Sequence, residues 1–156
     1  MRRIGLVAAF LLLCVLPASA AAKQTSYWAT VNVCDTPKQP DQIGIRAAMP
    51  GTPRGARLSM RFRVQYRTGN VWKDVPDADS GWVRVGVGRG SMVEYGWSFK
   101  FAKGTRSTLL RGVVKFRWRR GNTLPRQAEV ATEAGHRSSA GADPPDYSAA
   151  TCALGS

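Results

Sequence analysis

An all-β sandwich is the fold class this sequence predicts, and three observations predict it. Bulky and polar side chains alternate with period two along most of the chain. Glycine and proline interrupt the alternation at short spacing, as they do between hairpin strands. No segment beyond the first twenty residues carries the 3.6-residue period of an amphipathic helix. Together these call for seven to nine antiparallel strands in two layers, because alternation rather than continuous apolar runs argues against a parallel sheet buried under helices.

The chain opens MRRIGLVAAFLLLCVLPASA, with Arg2 and Arg3 before an apolar run over 4–16 and the small residues Ala18, Ser19 and Ala20 after Pro17. That order is a secretory signal peptide over 1–20. The apolar run of about 13 residues is shorter than the roughly 20 that span a bilayer, which argues against a retained anchor. Cys14 follows Leu13, where a lipidation motif needs a small residue. The expected product is a single domain over 21–156, secreted or surface-associated, with the A-x-A processing site of bacterial export and no transmembrane anchor after cleavage.

Residues 27–33, YWATVNV, form the first expected strand, followed by a turn-rich passage DTPKQPDQ and a short second strand IGIRAAM. PGTPRG is a loop built on Pro50, Gly51, Pro53 and Gly55. The next strand alternates most clearly: Leu58, Met60, Phe62, Val64 and Tyr66 share one face, and Ser59, Arg61, Arg63, Gln65 and Arg67 the other. Gly69 and Asn70 turn it into VWKDVP, with a polar loop over 77–81. WVRVGVG is a strand with Val83, Val85 and Val87 on one side and Trp82 and Arg84 on the other. GSMVEYGWSFKFAKG is expected to break near Gly96 with a bulge or twist. GVVKFRWRRG then turns Val114, Phe116 and Trp118 to one side and Val113, Lys115, Arg117 and Arg119 to the other. AEVATEA and YSAATCAL supply the last extended segments, and the five tryptophans are expected to fill the space between the sheets.

Two cysteines, Cys34 and Cys152, remain after processing in a chain bound for an oxidising compartment, so one disulfide 118 residues long in sequence is the simplest pairing. It would staple the first strand to the last. The strand rhythm resembles immunoglobulin-like and fibronectin-type-III-like extracellular domains, so the fold expected is an immunoglobulin-like antiparallel sandwich. That resemblance implies an adhesion, recognition or accessory role. The cysteines stand near the two ends rather than on middle strands, and Tyr147 lies five residues before Cys152 where the tyrosine corner has two.

Residues suited to catalysis are sparse, and no catalytic residue, metal ligand or cofactor is assigned. His136 is the only histidine and stands in the loop EAGHRSS, which is read as exposed and unoriented. No GxSxG elbow accompanies it. Asp74, Asp77 and Asp79 crowd KDVPDADSG, but the spacing fails an EF-hand and suits polar turns. The stronger signal is charge. Full-length net charge is +13, and loss of Arg2 and Arg3 leaves 21 basic against 10 acidic side chains, +11. Such an excess attracts polyanions.

The candidate binding residues are Arg61, Arg63 and Arg67 in one outward row and Lys115, Arg117 and Arg119 in another, forming a polyanion face if the two strands are neighbours. Phe62, Tyr66, Phe116 and Trp118 point away from that face, which argues against sequence-specific nucleic-acid recognition through stacked bases. The expected function is a non-catalytic secreted module whose partner is an anionic cell-envelope polymer or an extracellular protein. A solvated face that protects strands and keeps the protein soluble is the competing account of the charge. The alternative functions are a small secreted hydrolase of an anionic substrate, using His136 or a carboxylate pair among Glu94, Glu129 and Glu133, and a secreted inhibitor with a projecting loop over 134–146.

Overall fold

The computed structural model of the protein describes residues 27–103, 107–123 and 125–155; the leader expected over 1–20 lies outside them. Nine strands form two packed sheets. In the smaller, β1 (Trp28–Thr36), β2 (Gln39–Pro50) and β6 (Met92–Lys100) lie in the order β1-β2-β6. The larger is built around β3 (Ala56–Thr68) and β7 (Thr108–Arg119), which pair with each other. At 13 and 12 residues these two are long enough to carry two shorter strands each. β3 takes β5 (Val83–Gly88) along its first half and β4 (Val71–Asp79) along its second. β7 takes β9 (Cys152–Leu154) and then β8 (Arg126–Ala131).

Alternation decides which way these strands face. Leu58, Met60, Phe62 and Val64 on β3 are fully buried, and the register sets Leu58 opposite Trp118, Met60 opposite Phe116 and Phe62 opposite Val114. The smaller sheet supplies Ala29, Val31, Ile43, Ile45, Ala47 and Met49 from above. Each large side chain buried here stabilises the fold by about 1.5–3 kcal/mol. Gly112 is where the sheets come closest: a Cβ there would lie 2.7 Å from Cδ1 of Ile45.

The expected staple is present. Cys34 on β1 and Cys152 on β9 are bonded with their Cα atoms 5.4 Å apart, so the bridge joins one sheet to the other.

Several sequence expectations are overturned. DTPKQPDQ is mostly strand, because Asp35 and Asp41 adopt left-handed backbone conformations beside a tight Pro37-Lys38 turn, with Asp35 Oδ1 accepting from the Asp41 N–H at 2.8 Å. β4 likewise runs on through the passage read as a loop; its extra residues bulge between Asp74 and Asp79, with Asp77 at φ 62°. β6 does not break. It pairs with β2 without a slip from Met92 to Lys100, and Gly96 instead leaves room for the guanidinium of Arg46 opposite. Of the five tryptophans only Trp118 is buried; Trp28, Trp72 and Trp82 are half-buried and Trp97 is exposed.

The loop over 134–146 does not project. The chain over 132–150 runs back along the free edge of β1, where Val31 and Ala149 exchange backbone hydrogen bonds of 2.9 and 3.0 Å and the Asp143 N–H donates to Asn32 at 2.9 Å. It also closes over the outward polar residues of β1. Thr30 meets the Ser148 hydroxyl at 2.7 Å, and the Asn32 amide donates to the carbonyls of Ala140 and Gly141 at 3.2 and 3.1 Å. Those bonds satisfy side chains that would otherwise be buried without partners.

Candidate anion-binding face

The pairing of β3 with β7 brings the two cationic rows onto one outer surface, with Arg61 opposite Lys115, Ser59 opposite Arg117 and Arg57 opposite Arg119. The six expected cations are not equivalent there. Arg61 forms a two-pronged ion pair with Asp79, its Nε donating to Oδ1 at 2.8 Å. Arg63 reaches Asp74 at 2.7 Å on one side and Glu129 at 3.0 Å on the other. Lys115 approaches Glu129 at 3.6 Å. Arg67 donates to the Gly69 carbonyl of its own turn at 3.0 Å. The hydrogen bonds from Arg61 hold the Asp79 carboxyl below the usual carboxylate range, against the opposing pull of partial burial.

The acids therefore neutralise the middle of the sheet. Asp74 and Asp79 come from β4 and Glu129 from β8, and β5 contributes no carboxylate. At the β5 end the cations stay uncompensated. Arg57, Arg84, Arg117 and Arg119 make no ion pair among the described residues. Arg84 and Arg117 flank Ser59 from opposite sides, and Arg119 stands beside Arg57. The β5 strand bulges between Gly86 and Arg84, so Val87 turns outward beside Arg57 and is 52% exposed.

Two tryptophans read as core residues lie on this basic face. The Arg117 guanidinium sits 4.0 Å from the centre of the Trp82 ring, and Arg111 sits 4.5 Å from Trp72. Each pair is a cation–π contact that fixes an arginine head in place. Phe62, Phe116 and Trp118 do point inward, and Tyr66 packs against the core. The argument that aromatics are absent from the cationic side fails for Trp72 and Trp82. Their alternation with Arg84 and Lys73 carried the signal, as did the position of Arg57 two residues before Ser59.

His136 is oriented, contrary to expectation. Its ring lies flat on Trp28, centroids 4.1 Å apart and planes 8° apart, and Nε2 meets Glu133 Oε1 at 3.1 Å. The Ser148 hydroxyl bonds the His136 backbone N–H at 2.9 Å and the Thr30 hydroxyl, and makes no bond to the ring. Glu94 is engaged with the Ala140 N–H at 2.9 Å and with Arg46, while Glu129 serves Arg63 and Lys115. These contacts brace the 132–150 segment. Among the described residues no three His, Cys, Asp or Glu side chains converge as a metal site.

No known family, curated protein or solved structure matches the chain. Fold and surface define its class: an all-β sandwich with a disulfide between sheets and a basic outer face neutralised over only part of its length.

Proposed function

We propose that this protein is an exported, non-catalytic sandwich module that binds an anionic envelope polymer through the β5 end of its larger sheet. The carrying observation is the uneven neutralisation of the basic face. A face that served solubility alone has no need to gather Arg57, Arg84, Arg117 and Arg119 away from every carboxylate, since their mutual repulsion is unfavourable without a counter-anion. Arginine forks in fixed positions suit phosphate and carboxylate oxygens. The signal-peptide pattern over 1–20 and the Cys34–Cys152 bridge fit an extracytoplasmic site of action. An immunoglobulin-like lineage would accord with recognition work on such a frame.

Relative to the sequence-based choice of residues, the binding set moves. Arg117 and Arg119 stay in it, Arg57 and Arg84 join, and Arg61, Arg63, Arg67 and Lys115 become the framework that positions the sheet. The test is binding to phosphate-bearing wall polymer, acidic polysaccharide, anionic vesicles and nucleic acid across a salt series. Selective binding to one envelope polymer that survives near-physiological salt supports the reading. Weak binding to all four, lost together as salt rises, refutes it.

A further inference from the structure

Beside the same end of the sheet lies a cleft of about 490 Å³, lined by Thr52, Arg54, Ala56, Trp118, Arg120 and Arg126, together with Pro53 and Thr123. Three segments distant in sequence each deliver one guanidinium to it. Arg126 opens β8 directly opposite Trp118, which puts its head 4.9 Å from the centre of that indole. Arg120 leaves the end of β7 in a turn closed by Thr123, whose N–H and hydroxyl both donate to the Arg120 carbonyl at 3.2 and 2.6 Å. Arg54 stands in the loop between β2 and β3, and that loop is held firmly.

The hold on that loop is a backbone crossing. Thr52 N–H donates to the Gly88 carbonyl at 3.2 Å and Gly51 N–H to Ser91 at 2.8 Å. A Cβ on Gly51 would lie 2.6 Å from the Gly88 carbonyl carbon, so only glycine permits the approach. Trp118 is fixed too, its indole N–H donating to the Pro50 carbonyl at 2.7 Å. The cleft thus has a rigid apolar floor of Trp118, Ala56 and Pro53, and a cationic rim. None of its lining residues is acidic. None of its three arginines has an ion-pair partner among the described residues, and Thr52 Oγ1 is buried there without a hydrogen-bond partner among them.

From this geometry we infer that the cleft binds the phosphate group of a phosphate ester, as the specific subsite within the polymer-binding reading on which it rests. A carboxylate offers two oxygens and saturates with one or two forks. A phosphate offers three or four, arranged tetrahedrally, and accommodates three guanidinium groups arriving from different strands. The volume exceeds what the phosphate alone fills, and the apolar floor suits the carbon skeleton that it esterifies. An envelope polymer with phosphate in its repeat meets both demands, and a purely carboxylate polysaccharide meets neither.

The experiment is a titration of the whole protein, followed by amide, indole and guanidinium NMR signals at constant ionic strength. Glycerol 3-phosphate, inorganic phosphate and galacturonate are the probes. Glycerol 3-phosphate is expected to move the Trp118 indole and the Arg120 and Arg126 signals, inorganic phosphate to do so more weakly, and galacturonate to leave them in place. Arg126→Gln or Arg120→Gln is expected to weaken the response roughly tenfold, with the Trp82 indole signal unmoved in both variants. Equal responses to galacturonate, or responses confined to Trp82 and Arg117, overturn the assignment. So does a short nucleic acid or a phosphatidylglycerol vesicle that moves the cleft signals more strongly than a phosphate-bearing wall polymer. The two readings fail separately: polymer binding that persists with a silent cleft removes the subsite alone, whereas a responsive cleft without polymer binding removes the polymer reading and leaves a small phosphate-ester site.

Discussion

Replacing both cysteines in the variant Cys34→Ala/Cys152→Ala removes a bridge that closes a loop of 118 residues. In the chain-entropy account such a loop restricts the unfolded ensemble by about 5 kcal/mol at 25 °C. That is comparable to the entire stability of many domains of this size, roughly 5–15 kcal/mol. Native contacts sharpen the effect. β9 is three residues long and pairs only with Thr108, Leu109 and Leu110, while burying Cys152 and Leu154 against the core. Without the bridge the strand is held by little else. Thermal and urea unfolding of the oxidised protein and the variant is the assay. The midpoint is expected to fall by about 15–25 °C, and the urea m-value to rise because the released chain exposes more surface on unfolding. A midpoint within about 3 °C of the parent, in a fully oxidised control with no free thiol, would refute the loop-closure reasoning.

Gly112→Ala sets a methyl group 2.7 Å from both Ile45 Cδ1 and Thr132 Cγ2 in the tightest part of the core, and is expected to cost about 1–3 kcal/mol in urea unfolding. Asn32→Ala removes the amide that donates to Ala140 and Gly141, so hydrogen exchange should quicken over 139–143 while β3 and β7 keep their protection. Asp79 has a lowered folded-state pKa, so its contribution is present above the unfolded value of about 4 and is lost as pH falls through the folded value. Stability should therefore decline on the acid side, and Asp79→Asn should flatten that limb while lowering stability at pH 7.

The sandwich was legible where a strand has one wet and one dry face. From Leu58 to Val64 and from Val114 to Trp118 every second residue is buried, and the alternation alone names the core. It fails where both neighbours are large. Trp82 and Val83 differ in direction but not obviously in preference, and the bulge before Val87 reverses the phase midway through β5. Gly96 carries a break signal that pairing with β2 overrides, because the space serves Arg46. The polar loop over 134–146 looks like a free tip from its composition, yet Thr30 and Asn32 need partners and that segment supplies them.

The cationic rows were readable as rows, because Arg61 and Lys115 each belong to an alternating strand. Their neutralisation was not. Arg63 meets Glu129 across 66 positions and Arg61 meets Asp79 across 18, and both contacts depend on a register that no local pattern encodes. The cleft draws on Arg54, Arg120 and Arg126, two of which stand outside strands, so periodicity has nothing to say about them.

The most direct measurement compares two charge-matched variants on a phosphate-bearing wall polymer across a salt series. One is Arg57→Gln/Arg117→Gln/Arg119→Gln, at the uncompensated end. The other is Arg67→Gln/Lys73→Gln/Lys100→Gln, exposed cations away from it. The account expects the first to bind at least tenfold more weakly and to lose about two to three units from the slope of log K against log salt, with the second close to the parent. Equal weakening in both would mean that total charge alone governs binding, and would contradict the claim that one end of the sheet is built for an anion.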